Sequence, residues 1–187
     1  MTEYDETVTL LAAPTTWCDG ARRLVELGDK RALIPLVRAF ESRHEASKQC
    51  LIDAMGALGG DVEARRLIVS EDAVVRIAAI RLMVVFASDA QLDALNAVVL
   101  HDDDAMVRER AKHALAAQRQ TKRWEELIAS YLALPDVEMR RWAIERLVRH
   151  DGARSWQRVE DHLARECDTE LRAKIGADLA RRARDLT

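Results

Sequence analysis

The chain has 187 residues, 49% hydrophobic, 33% charged and only 4% aromatic, with 7 glycines and 3 prolines. Enough apolar side chains are present to bury a core, which excludes disorder, and the shortage of turn formers argues against an all-β sandwich. The net charge of −3 hides a split: residues 1–104 hold 11 Lys/Arg against 18 Asp/Glu, and residues 105–187 hold 18 against 14.

In chain order, apolar periodicity predicts a leading helix near Thr15–Leu27 after an N-terminal extension over 1–14. Helical pairs follow at Asp29–Glu41 with Glu45–Gly59 and at Val62–Ser70 with Ala73–Ala87. The next are Ala90–His101 with Ala105–Arg119 and Lys122–Ala133 with Val137–His150, then Ser155–Glu166 with Thr169–Arg184. The most apolar stretch, Ala73–Ala87, is interrupted by Arg76 and Arg81, so no bilayer span is expected. The acidic start lacks the basic n-region of a signal peptide. Cys18, Cys50 and Cys167 are odd in number, widely spaced and without a Cys-x-x-Cys pair. That pattern excludes a disulfide framework and the common zinc sites, and it suits a reducing, cytoplasmic setting.

The pairs are repeats. Asp72, Asp104, Asp136 and Asp168 recur every 32 residues, each followed four residues later by Arg76, Arg108, Arg140 and Arg172. Apolar columns keep the same step: Met83, Leu115, Leu147, Leu179; Leu92, Trp124, Trp156; Leu95, Leu127, Val159. The step shortens to 28 between Lys48 and Arg76. One hairpin cannot bury its own apolar stripe, so neighbours must stack. The expected fold is all-α, an α-solenoid of about five hairpins plus a leading helix, forming one domain over 15–187.

Three segments carry a family resemblance. Leu33-Ile-Pro-Leu-Val-Arg-Ala-Phe40 resembles the first helix of a HEAT repeat, and Asp104-Ala-Met-Val-Arg-Glu-Arg-Ala-Lys-His-Ala-Leu115 the second. The linker Leu27-Gly-Asp-Lys-Arg-Ala-Leu-Ile-Pro35 is similar to that of HEAT-like repeats of the phycobilisome-lyase type. The resemblance implies a right-handed superhelix with second helices lining a concave face. It is nearly silent on function, since the family spans scaffolds, adaptors, bilin lyases and DNA glycosylases. The first complete unit departs from it, with His44 and Lys48 where the others have Asp and Arg.

A catalytic site is needed once, so a column repeated four times reads as a structural ladder: Asp72, Arg76, Asp104, Arg108, Asp136, Arg140, Asp168 and Arg172, each Arg joining acidic caps of its own and an adjacent repeat. Trp124 and Trp156 read as core and Trp17 as a lid on the end of the stack. Trp142 shares its column with Ala78, Arg110 and Lys174, so packing does not demand it, and an exposed indole suits a binding hot spot. The candidate binding residues are Arg110, Trp142, Arg146, Arg149, Lys174 and Arg181, in a basic stripe with Arg119, Arg182 and Arg184 among others. His101-Asp-Asp-Asp104 falls in a turn where acidic caps are expected, so no metal and no cofactor is expected. His44-Glu45 is one pair where HEAT-like di-iron hydroxylases need several. His113, His150 and His162 read as surface or cap residues, and no nucleophile or phosphate-loop motif occurs.

The function expected is non-enzymatic: a scaffold or adaptor holding a protein partner, acidic or with an acidic segment, on the concave face. The alternative is a nucleic-acid binder or DNA-glycosylase-like protein using the basic C-terminal half, which the pI near 6.0 does not favour. A bilin-lyase-like role is a weaker alternative. Self-association through the acidic and basic halves is a further possible contact, and no membrane partner is expected.

Overall fold

Most helix starts fall where the sequence supplies a capping side chain, whereas Thr16 and Gly59 head their helices without a side-chain bond. Asp72 Oδ1 accepts the Val74 amide at 2.8 Å, and Asp104 Oδ1 accepts those of Met106 and Val107 at 2.7 and 3.1 Å. Asp136 and Asp168 do the same for Glu138 and Leu171, each at 2.8 Å. Ser88 and Thr121 cap two of the intervening helices. Each carboxylate or hydroxyl satisfies an amide that would otherwise lack a partner, next to the positive helix end.

The computed structural model describes residues 2–13, 15–42, 48–86, 88–118, 121–149 and 153–185. Among them are twelve α-helices and no strand: α1 (Glu3–Thr9), α2 (Trp17–Leu27), α3 (Leu33–Ser42), α4 (Lys48–Ala57), α5 (Gly60–Leu67), α6 (Ala73–Val85), α7 (Asp89–His101), α8 (Ala105–Ala117), α9 (Lys122–Ser130), α10 (Val137–Arg149), α11 (Ala153–Leu163) and α12 (Thr169–Asp185). The fold is all-α and built of helical repeats. No helix is long and apolar enough to cross a membrane among the described residues.

Packing divides the chain into two compact units, Met1–Ala117 and Gln118–Thr187. In the first, α5 pairs with α6 and α7 with α8, while α6 also lies against α3 and α8. The shortened 28-residue step accompanies a change of neighbours, because α3, a first helix by the repeat count, stands beside the second helix α6. Leu36, Leu51, Met55, Leu82, Met83, Leu95 and Leu115 are fully buried there. In the second unit, α9, α10, α11 and α12 enclose Trp124, Ile128, Leu147, Val159 and Ile175. Leu95, Leu127 and Val159 are buried, as the 32-residue columns require, and so are Trp124 and Trp156. Each such side chain contributes roughly 1.5–3 kcal/mol by leaving water.

Three readings need correction. The segment set apart as an N-terminal extension carries α1, opened by a reciprocal capping box between Thr2 and Asp5 and packed on α2. Trp17 is therefore no lid. It is 3% exposed, and its indole Nε1 donates to the Leu11 carbonyl at 2.7 Å. Finally, Cys18 and Cys50 form a disulfide between α2 and α4, leaving Cys167 as the free, exposed thiol. An odd cysteine count did not preclude the bond, because Cys18 and Cys50 stand 32 residues apart, one repeat step, which brings their Cα atoms to 5.6 Å when α2 and α4 pack side by side.

Gly28 and Gly60 stand where a side chain would not fit the backbone path. Gly28 ends α2 with φ of +63°, the left-handed turn that leads into the Asp29-capped 3-10 segment Lys30–Ala32. At Gly60 a Cβ would lie 2.8 Å from the Phe86 ring and 2.9 Å from the Met55 carbonyl, so the start of α5 depends on its absence.

Candidate functional site

The Asp/Arg column divides its work. The Asp carboxylates cap their own helices, as described above, while the guanidiniums turn back to the carbonyls of the preceding turn. Arg76 Nη1 donates to Ser70 and Glu71 at 2.8 and 3.0 Å, and Arg108 Nη1 to Asp102 and Asp103 at 2.7 and 3.0 Å. Arg140 Nη1 does so to Leu134 and Pro135 at 3.0 and 2.8 Å, and Arg172 bonds the Glu166 carbonyl. Two of the four reach the next repeat, and their target is the acid two residues before its cap. Arg76 makes a two-point contact with Asp102, and Arg140 with Glu166, all four bonds at 2.9 Å. Those acids also accept the amides of Asp104 and Asp168. Burial pushes the Asp102 carboxyl up, but the Arg76 guanidinium and the Asp104 amide together hold it below the ordinary range. Asp102, Asp103 and Asp104 are thus engaged in ion pairs and a cap. Among the described residues no group of three His, Cys, Asp or Glu side chains is placed to hold a metal.

In the second unit Glu166, 1% exposed, also accepts or shares a proton with His162 Nε2 at 2.7 Å. His162 is buried, not a surface residue, because it lies one turn before Glu166 and turns inward to it. The Arg140 guanidinium first, then the Asp168 amide and His162, hold the Glu166 carboxyl down at about 2 despite its burial. Arg140, Arg158, Arg165, His162 and Glu166 line a cleft of about 540 Å³. Two of its arginines are matched within the unit, Arg140 by Glu166 and Arg158 by Glu125 at 3.6 Å, while Arg165 Nε donates to the neutral Asp161 carbonyl.

The candidate binding residues do not form one free cationic surface. Trp142 is half-buried, its ring edge-on to Tyr131 at 5.4 Å between centroids, and burial pushes the Tyr131 phenol up. Lys174 Nζ bonds Glu145 at 2.6 Å, and Arg181 lies 3.9 Å from Asp178. The Lys174 ammonium chiefly, with Arg149 and Arg146 further off, holds the Glu145 carboxyl below its ordinary range against partial burial. Arg146 is half-buried and Arg149 exposed. Arg110 belongs to the first unit and the other five to the second. His44, Glu45, Arg119 and His150 lie outside the described residues, as do the side chains of Lys48, Arg182 and Arg184.

Arg110 flanks a feature that sequence reasoning missed. Along α6, Val74, Ile77, Ala78 and Arg81 line a groove of about 490 Å³ between α3 and α8. It continues past Val84 toward Phe40 and Ala117. Val74 is 71% and Met106 63% exposed, on a face where packed helices normally hide such residues. A signal existed: apart from Arg76 and Arg81, α6 carries apolar side chains on every face, more than one packed side can bury. The 28-residue step concealed it, because it left unclear which helix lies opposite.

No family model and no curated protein matches the chain. Among solved structures, the crystal structure of an engineered protein from the Northeast Structural Genomics Consortium matches at 18% identity, covering 96% of each chain with a TM-score of 0.38. That likeness carries no functional argument.

Proposed function

We propose that this protein is a non-enzymatic adaptor of the HEAT-like type, which holds a protein partner against the exposed side of its helical stack. The observation that carries this reading is the groove over α6, where large aliphatic side chains stay open to water. A stack of short helices offers a rigid, preorganised surface, which lowers the ordering cost of association. Ionic clusters elsewhere, such as Arg76 with Asp102 and Arg140 with Glu166 with His162, are engaged in joining repeats. The nucleic-acid alternative is less favoured because Lys174, Arg141 and Arg181 of the basic half have carboxylate partners.

Chromatography on immobilised mixed-sequence DNA, run beside quantitative protein capture, separates the two. An adaptor elutes from DNA below physiological salt and enriches a defined protein set. Retention that falls steeply with salt, as counterion release dictates, favours the alternative. A cytoplasmic location belongs to this proposal, and the Cys18–Cys50 bond weighs against it, since cytosolic disulfides are rare. Thiol labelling of protein taken directly from cells decides: three reactive cysteines fit the cytoplasm and one fits an oxidising compartment.

A further inference from the structure

The groove across α3, α6 and α8 is specific enough to name its ligand. We propose that it binds an acidic amphipathic helix of a partner protein; this deepens the adaptor reading and rests on it. Shape supplies the first selection. The floor follows one stripe of α6, Val74, Ile77 or Ala78, Arg81 and Val84, at the i, i+3/i+4, i+7 and i+10 spacing of a helix face. Ten residues at 1.5 Å each make it about 15 Å long, roughly three helical turns. Its walls are helix side chains with no open backbone edge. An extended strand laid there would leave its own amides and carbonyls unpaired, whereas a helix satisfies them internally.

Charge supplies the second selection. Arg38 and Arg110 stand at the rim, both exposed, and neither has a carboxylate partner among the described residues. Arg81 is engaged by Glu41 at 3.4 Å, so the groove keeps an excess of positive charge within an acidic unit. Carboxylates flanking the apolar stripe of an incoming helix would meet these guanidiniums in charge-assisted bonds. A nucleic acid fits less well, because the floor along α6 is aliphatic and Phe40, at one end of the groove, is a single ring rather than a run of stacking platforms.

The test uses the full-length chain with its disulfide intact, as bait for a displayed library of random 16-residue peptides. Two double variants serve as counter-screens: Val74→Glu with Met106→Glu for the floor, and Arg38→Glu with Arg110→Glu for the rim. All four positions are exposed, so circular dichroism should match the parent protein. The expected result is a set of peptides with apolar residues at helical spacing and flanking Asp or Glu. Each should bind either variant at least about tenfold more weakly. Peptides that bind both variants as well as the parent would overturn the groove and leave the adaptor reading standing. Enrichment of basic or non-amphipathic peptides at the groove would overturn the ligand named here. Enrichment of nothing would overturn the groove as a helix site, with the adaptor reading then judged by protein capture alone. A concentration-dependent dimer in sedimentation, abolished by the floor variant, would make a second copy the occupant and overturn the partner helix.

Discussion

At the residue scale, Glu166 and Arg140 show how a repeat column becomes an energetic commitment. Glu166 is fully buried and its pKa, ordinarily 4.5, is held down at about 2. A group depressed in the folded state contributes stability above its unfolded pKa and loses it as pH falls through the folded one. Denaturant midpoints should therefore hold steady from neutral pH to about 5 and fall between about pH 4.5 and 2. Removing one partner of such a buried pair leaves the other uncompensated, so Arg140→Met should cost about 3 kcal/mol at pH 7. It should also flatten the acid limb, because Glu166 then loses the largest cause of its low pKa. An unchanged acid limb in Arg140→Met would show that the pair is not what holds the carboxylate ionised. Trp142 is a milder case. With the ring half-buried edge-on to Tyr131, Trp142→Ala should cost about 1–2 kcal/mol in chemical denaturation, less than a core tryptophan at about 3–5 kcal/mol.

At the scale of elements, the joints between helices decide stability more than the helices do. The disulfide ties α2 to α4 across 32 residues of chain. Loop-closure entropy for a loop of that length gives roughly 3–4 kcal/mol. Urea unfolding with and without reductant, or of Cys18→Ser, should show that difference, and coincident curves would mean the bond adds nothing the packing lacks. Caps work on the same scale with smaller increments. Thr121→Ala removes the acceptor for the Trp124 amide at the start of α9, and about 1 kcal/mol should go with it. The capping box at Thr2 does equivalent work for α1, and its residue types stand in the opening Thr2-Glu-Tyr-Asp5.

At the scale of the molecule, two compact units divide the charge unevenly. Residues 1–117 hold 14 Lys/Arg against 19 Asp/Glu, and residues 118–187 hold 15 against 13. The second unit is close to neutral, so weak, salt-sensitive retention on heparin is the expected outcome at most. Far-UV circular dichroism should show a predominantly helical protein without sheet, and helical content below half would contradict the repeat architecture.

The 32-residue step by itself determined the all-α class, the helix-starting aspartates and the buried columns of Leu95, Leu127 and Val159. Those depend on local capping and on which face of a helix is apolar, and both are written in spacing. Tertiary structure decided what depends on which helix stands beside which. The acid that Arg76 or Arg140 reaches lies 26 residues on, outside the repeated Asp column, and is selected only when two turns meet. Cys18 meets Cys50 because α2 and α4 pack side by side, which an odd cysteine count conceals. The groove runs along α6 because the first helix α3 stands on one side of it and α8 on the other after the shortened step, with Val74 and Met106 left exposed. A helix announces its apolar face in its own sequence, but whether that face is covered is a property of its neighbours.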